Sequence, residues 1–167
     1  MLQSFAIVLY ALFVAFSSGC AQPAKATLQS KNLEYQFSTI NGELWARDSS
    51  GDSYLFPIKG QDFNPLPSPD RRWLAVEVQK MSNLRVLKLF RQSDEGFTET
   101  HTNASTYLWN KARREDGLDT DNVSQPSITV LGWREAESVL TVELRALAFD
   151  GAPYQRTFDL SINVLEP

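Results

Sequence analysis

The 167-residue sequence contains one cysteine and one histidine, and both scarcities limit its chemistry. A single cysteine excludes any disulfide within the chain, and a cysteine nucleophile needs a histidine as its base. The one histidine, His101, lies in the polar run TETHTNAS, where a solvated loop residue is expected. The sequence therefore offers no cysteine–histidine or serine–histidine–aspartate catalytic set.

Motifs for phosphate and nucleic-acid binding are absent as well. The phosphate-binding motifs GxGxxG and GxxxxGK[ST] do not occur, and neither does GxSxG, which carries the nucleophile of many serine hydrolases. The net charge is −4, and Lys25 is the first charged residue of the chain. A mildly acidic chain repels phosphate backbones, and the short runs DRR and KARRE mix signs, which is typical of solvated faces. We expect no nucleic-acid partner, no cofactor and no enzymatic activity.

Four carboxylates lie close together in the segment EDGLDTDN, at Glu115, Asp116, Asp119 and Asp121. Oxygen clusters bind Ca²⁺ when a glycine follows the spaced ligands and a downstream glutamate closes the loop. Here Gly117 precedes the spaced pair and no closing glutamate follows. We expect an acidic, solvated connection between a helix and a strand, and no metal site. A carboxylate pair for hydrolysis, which only the fold would bring together, stays open.

The first residues of the chain form an apolar run that ends near its only cysteine. Residues 5–16, FAIVLYALFVAF, are twelve apolar residues in succession, which suits a signal peptide and is too short to span a bilayer. Ser17, Ser18 and Gly19 follow, and after Cys20 comes AQPAKATLQS, which is typical of a linker. The order indicates a leader that is removed from the mature protein.

This order resembles the lipobox of bacterial lipoproteins. The resemblance implies that the Cys20 thiol receives a diacylglyceryl group, that a peptidase cuts after Gly19, and that the new amine is acylated, for example by palmitate. Two or three acyl chains anchor firmly, because each buried methylene contributes about 0.8 kcal/mol. The sequence departs from the family in having Ser17 where an apolar residue is usual, and no Lys or Arg in MLQS. Ala21, instead of Asp, implies the outer membrane of a Gram-negative envelope.

An ordinary secretory leader is the alternative. A cut after Ala21 or after Ala26 would also place small residues at the cleavage site and release a soluble periplasmic or secreted protein. On the lipobox interpretation, the signal peptide covers residues 1–19, the lipidated N-terminus and tether cover 20–32, and one β-rich domain covers 33–167.

From Leu33 onward, apolar residues recur at every second position, as in half-buried antiparallel strands. The expected strands are LEYQF, SYLFPI, WLAVEV, NLRVLKLF, VLTVELRA and RTFDLSINV. In the last of these, Phe158, Leu160, Ile162 and Val164 are expected to face inward. Turn-forming stretches such as NGE, DSSGD, SDEG and DGAP separate the strands. We predict a mainly β domain of antiparallel sheets, either a small sandwich or an open propeller-like fragment.

One short helix is predicted near residues 104–116, in NASTYLWNKARREDG. Asn103 or Ser105 is available as the N-cap, and Gly117 can end the helix. The residues expected on its buried face are Ala104, Tyr107, Leu108 and Ala112.

The stretch PSPDRRWLAVEV resembles the SPDGxxLAF signature of TolB-type, WD-like β-propeller blades. The resemblance implies that Ser-Pro-Asp makes a tight turn into the second strand of a blade and that LRVLKLF is the next strand. Arg71 stands where the family has glycine. A propeller needs four to eight blades of about 40 residues, and residues 33–167 hold about three at most, so a sandwich, an open fragment or a propeller completed by a partner chain is expected.

Trp73 is the main candidate for an interaction surface. In the strand WLAVEV it lies on the face opposite Leu74, next to Arg71 and Arg72. A tryptophan on a polar face is suited to contact a protein, a peptide or a sugar. The alternative is that the segment 101–125 covers it.

These observations predict a non-enzymatic bacterial envelope lipoprotein. Cys20 would anchor it in the outer membrane, facing the periplasm, and the β domain would bind an envelope protein or a glycan. One alternative is a soluble secreted or periplasmic inhibitor or accessory protein of an envelope enzyme. A second alternative is a hydrolase with a carboxylate site that the sequence does not reveal.

Overall fold

Alternating apolar and polar side chains fold most of the domain into antiparallel strands. The computed structural model describes residues 35–93, 95–134 and 138–166, which belong to one compact unit, Lys31–Pro167. The elements in chain order are β1 (Gln36–Ile40), β2 (Glu43–Arg47), β3 (Ser53–Lys59), β4 (Asp62–Pro67), β5 (Trp73–Met81), β6 (Leu84–Ser93), β7 (Gly96–Glu99), α1 (Ala104–Asp116), β8 (Ser124–Arg134), β9 (Val139–Leu147), β10 (Pro153–Ser161) and a 3-10 helix (Ile162–Val164). The predicted mainly β class with one short α-helix is confirmed for these residues.

The strands form two sheets. One has three strands in the order β1-β2-β3, and the other follows the path β10-β9-β8-β6-β5-β4, with β7 paired to β6. Neighbouring strands are antiparallel except β6 and β8, which meet in parallel only at Arg85 and Ser127. The larger sheet therefore consists of two antiparallel halves joined at one point, and no strand order closes on itself within the described ranges.

Strand β5 separates two hydrophobic cores. Leu74, Val76 and Val78 belong to the core shared with the small sheet, as the alternation of WLAVEV predicted. Ala75, on the opposite face, belongs to the core that β8, β9, β10 and α1 enclose. A strand between two cores is buried on both faces, so the domain is a layered sandwich.

Helix α1 has the predicted bounds, Ala104–Asp116. The Asn103 side chain accepts a hydrogen bond from the Thr106 N–H at 3.1 Å, and Gly117 ends the helix at φ +71°. Ser105 is therefore not the cap, and its side chain is buried. No helix in the described part of the chain is long and apolar enough to cross a membrane.

The prediction for the end of the last strand is wrong at Val164. Strand β10 ends at Ser161, and the 3-10 helix that follows leaves Val164 50% exposed. Residues three apart lie on the same side of a 3-10 helix, so Leu165 joins Ile162 in the core in place of Val164.

Ser105 connects α1 to the side of β6 that faces away from β5, at a point where no other strand pairs with it in the described residues. Its hydroxyl accepts from the Leu87 N–H at 2.8 Å and donates to the Leu87 carbonyl at 3.0 Å. Leu87 lies between the stretch of β6 that pairs with β7 and the single residue that pairs with β8. A side chain thus supplies both hydrogen bonds that a neighbouring strand would have made.

We predict that Ser105→Ala lowers the free energy of unfolding by about 2 kcal/mol, because it leaves a buried N–H and a buried C=O unpaired. Urea denaturation followed by circular dichroism measures the change. Thr106→Ala, on the exposed side of the same helical turn, is the control and should change stability by less than about 0.5 kcal/mol. Equal effects of the two substitutions would contradict the role assigned to Ser105.

Candidate binding groove

The tight turn between β4 and β5 is held by the Ser68 side chain and backbone. The Ser68 N–H donates to the Trp73 carbonyl at 2.8 Å, and the Trp73 N–H donates back to Ser68 Oγ at 3.0 Å. Ser68 Oγ donates a hydrogen bond to Asp70 Oδ1 at 2.6 Å, which fixes the orientation of the Asp70 side chain in the turn. Arg71 has φ +56°, so this position adopts the left-handed conformation that a glycine would take without strain.

A groove of about 760 Å³ lies beside this turn. Its walls come from the start of β1, the β2–β3 turn, the β4–β5 turn and the neighbouring parts of β5, β6 and β7. The lining residues are Tyr35, Gln36, Phe37, Asp48, Ser49, Pro67, Ser68, Pro69, Arg71, Trp73, Leu74, Gln92 and Phe97. The volume falls within the range of about 300–1,000 Å³ found for ligand pockets.

Two of the three residues predicted for an interaction surface line the groove. Trp73 and Arg71 lie on its wall, and Trp73 is partly buried because it also packs against the core that contains α1. Arg72 is exposed outside the lining, with its Nε 3.7 Å from Asp70 Oδ2. Cys20, the predicted lipidation site, lies outside the described residues.

Aromatic rings form the floor of the groove. The rings of Tyr35 and Phe97 meet edge to face, with centroids 4.9 Å apart, and Phe37 lies 6.4 Å from Phe56 in the core below. Tyr54 extends this cluster, 5.4 Å from Phe97. The strand pattern placed Tyr35 and Phe37 in a buried face, but no sequence signal joined them to Arg71 and Trp73. Only the packing of the two sheets brings these groups together.

Charges at the groove come from Asp48 and Arg71. The hydrogen bond from the Ser50 hydroxyl is the main reason that the pKa of Asp48 lies below its usual value, with further bonds from backbone N–H groups, including that of Asp52. The pKa of Tyr35 is raised, mainly by burial and further by the negative charge of Asp48. A hydrogen bond with Gln92 acts in the opposite direction and lowers this pKa. Among the described lining residues, the groove therefore presents one carboxylate, one guanidinium and a neutral phenol at pH 7.

The acidic segment EDGLDTDN lies elsewhere, and its carboxylates have separate partners. The pairs are Glu115 with Lys111, Asp116 with Tyr154 and Arg156, Asp119 with Asn122, and Asp121 with Arg113. Within the described ranges, no group of three or more His, Cys, Asp or Glu side chains is arranged to hold a metal ion.

Comparison with protein-family models, with curated protein sequences and with solved structures finds no match to this chain. The groove must therefore be interpreted from its own geometry and chemistry.

We predict that Arg71→Gly is more stable than Arg71→Ala by about 1 kcal/mol, because alanine at φ +56° retains the left-handed strain that glycine lacks. Both variants remove the arginine side chain, so their difference isolates the backbone. Thermal unfolding of the two proteins measures it.

The same pair of substitutions at Arg72 is the control, since Arg72 is not among the residues with positive φ. There the order should reverse, because glycine adds conformational freedom to the unfolded chain. If the glycine variant were more stable than the alanine variant at both positions, the result would contradict backbone strain at Arg71.

Proposed function

We propose that this protein is a lipid-anchored envelope protein that binds a partner through the groove beside Arg71 and Trp73. The apolar run, the small residues and Cys20 support the attachment, because their order resembles a lipobox. The groove supports the binding role, because it combines aromatic rings with a few polar and charged groups in a cavity of ligand size.

The proposed attachment keeps the domain close to the membrane. Residues 21–32 would serve as the tether, and about a dozen residues reach about 40 Å when fully extended. The outer membrane facing the periplasm is the proposed location, since Ala21 follows the cysteine. The partner would then be an envelope protein or a cell-wall or surface glycan within that distance.

The groove itself is the observation that carries the binding proposal. Its lining combines Trp73 and Arg71, far from β1 in sequence, with Tyr35 and Phe37. Asp48 is the one carboxylate among the described residues of the lining, and a hydrolase of the two-carboxylate kind needs a pair, so these residues favour binding over hydrolysis. A soluble inhibitor or accessory protein would use the same groove and differs only in lacking the lipid.

We predict that Cys20→Ser moves the protein from the membrane fraction to the soluble periplasmic fraction, because the hydroxyl cannot form the thioether to the lipid. The intact mass of the unsubstituted protein, purified from its native envelope, should equal the chain from Cys20 plus a diacylglyceryl group and an N-acyl chain. Ser18→Ala is the control and should stay in the membrane fraction. A mature chain that begins after Cys20 and carries no lipid mass would instead support the soluble alternative.

We predict that a photo-crosslinking amino acid at Ser49 captures a partner in intact cells. Ser49 is exposed and lines the groove, so the probe stands at its rim. The control position is Lys59, an exposed residue of β3 outside the lining. A discrete protein or glycan adduct at Ser49 and not at Lys59 is expected, and its mass identifies the class of partner. Equal crosslinking patterns at the two positions would contradict binding through the groove.

A further inference from the structure

The groove touches three consecutive residues: Tyr35, which precedes β1, and Gln36 and Phe37, the first two residues of β1. Consecutive side chains of a strand point to opposite faces of its sheet. A cavity that touches all three therefore reaches the edge of the strand, not one face alone. Strand β1 is a terminal strand of the small sheet, and among the described residues only β2 pairs with it.

The hairpin register shows which backbone groups lie at this edge. Asn41 and Gly42 form the two-residue turn, with φ +54° and +75°, so Ile40 and Glu43 are the hydrogen-bonded pair beside it. Hydrogen-bonded and non-hydrogen-bonded pairs alternate along antiparallel strands. The N–H and C=O of Phe37 therefore point away from β2, toward the open edge that the groove adjoins.

The edge of β1 also lacks the features that usually block further pairing. Its sequence, QFSTI, contains neither proline nor a charged residue. The other terminal strands of the described sheets contain proline, at Pro57 in β3, at Pro65 and Pro67 in β4 and at Pro153 in β10, and the short β7 carries a glutamate. Proline and charge are the devices by which natural sheets prevent edge pairing, and β1 has neither.

We propose that the groove receives an extended peptide segment of a partner protein, which adds as a strand to the open edge of β1. This inference rests on the proposed function of the groove as a binding site. A peptide offers N–H and C=O groups along one side at every second residue, about 6.6 Å apart, which matches the outward groups of β1. A glycan has no such repeat.

The side chains of the bound strand are also constrained. Alternate residues of the peptide face the rings of Tyr35, Phe37 and Phe97, where an apolar side chain is favoured. The remaining residues face solvent and the rim of the groove at Ser49. The peptide is therefore expected to carry apolar residues at every second position.

The test begins with a phage-displayed library of random dodecapeptides selected against the purified full chain. We expect enriched peptides to alternate apolar and polar residues. The best peptide is then synthesised in two N-methylated forms, each methylated on one of the two alternating sets of amides. Methylation of the set that faces β1 should weaken binding by about tenfold or more, because several hydrogen bonds to β1 are lost and each contributes about fivefold to affinity. Methylation of the other set should change affinity by less than about threefold.

A matched pair of variants locates the peptide. Ser49→Trp fills the rim of the groove and should abolish binding, whereas Lys59→Trp, on β3 outside the lining, should leave it unchanged. Equal losses from the two methylated forms, or equal affinity for the two variants, would overturn the strand-addition proposal.

Two further outcomes separate this inference from the proposed function. A glycan adduct at Ser49 in cells, with no peptide enriched from the library, would overturn strand addition and leave the groove as a binding site. A concentration-dependent dimer in analytical ultracentrifugation that Thr39→Pro abolishes would place a second copy of the chain on β1 and would also overturn it.

Discussion

Burial of β5 on both faces is the constraint on which the rest of the domain depends. Its even-numbered apolar side chains fill the core beneath the small sheet, while Ala75 fills the core beneath α1 and β8–β10. Burial of each leucine or valine side chain contributes roughly 1.5–3 kcal/mol of hydrophobic free energy. Because β5 contributes side chains to both cores, detachment of either the small sheet or the layer of α1 and β8–β10 would expose one face of β5.

Polar contacts complete the packing of β8 over β5, where little backbone pairing is available. Glu77 is 5% exposed on β5, and its carboxylate accepts a hydrogen bond from the Val130 N–H of β8. The indole N–H of Trp133 donates to the Leu66 carbonyl of β4 at 3.0 Å. Buried polar groups are costly unless they are paired, so these two contacts also select the position of β8. They compensate for the backbone hydrogen bonds that β6 and β8 do not make, since these two strands pair at only one residue pair.

The sequence predicted most of the local structure and little of the site. Period-two patterns and turn residues placed six of the ten described strands and missed β2, β4, β7 and β8. Capping residues gave α1 its observed bounds, because these signals act over a few residues. Glu77 lies on the same face of β5 as Trp73, which the sequence predicted to be polar, yet it is buried because β8, about fifty residues later, covers it. The groove was not predictable for the same reason. Trp73 and Arg71 were identified as a surface, but the rings opposite them belong to a sheet whose placement no local pattern encodes.

The position of the groove follows from where packing between the sheets stops. At the start of β1, the rings of Tyr35 and Phe37 pack against the core that contains Phe56, and the groove there is also lined by the Ser68 turn. The turn is internally hydrogen-bonded, so it has few backbone groups left to offer β1. An aromatic floor beside a strand edge without proline or charge is a combination that natural sheets usually avoid, because it invites pairing with another chain. This combination beside a groove of about 760 Å³ is the reason for proposing a partner that pairs with β1 there.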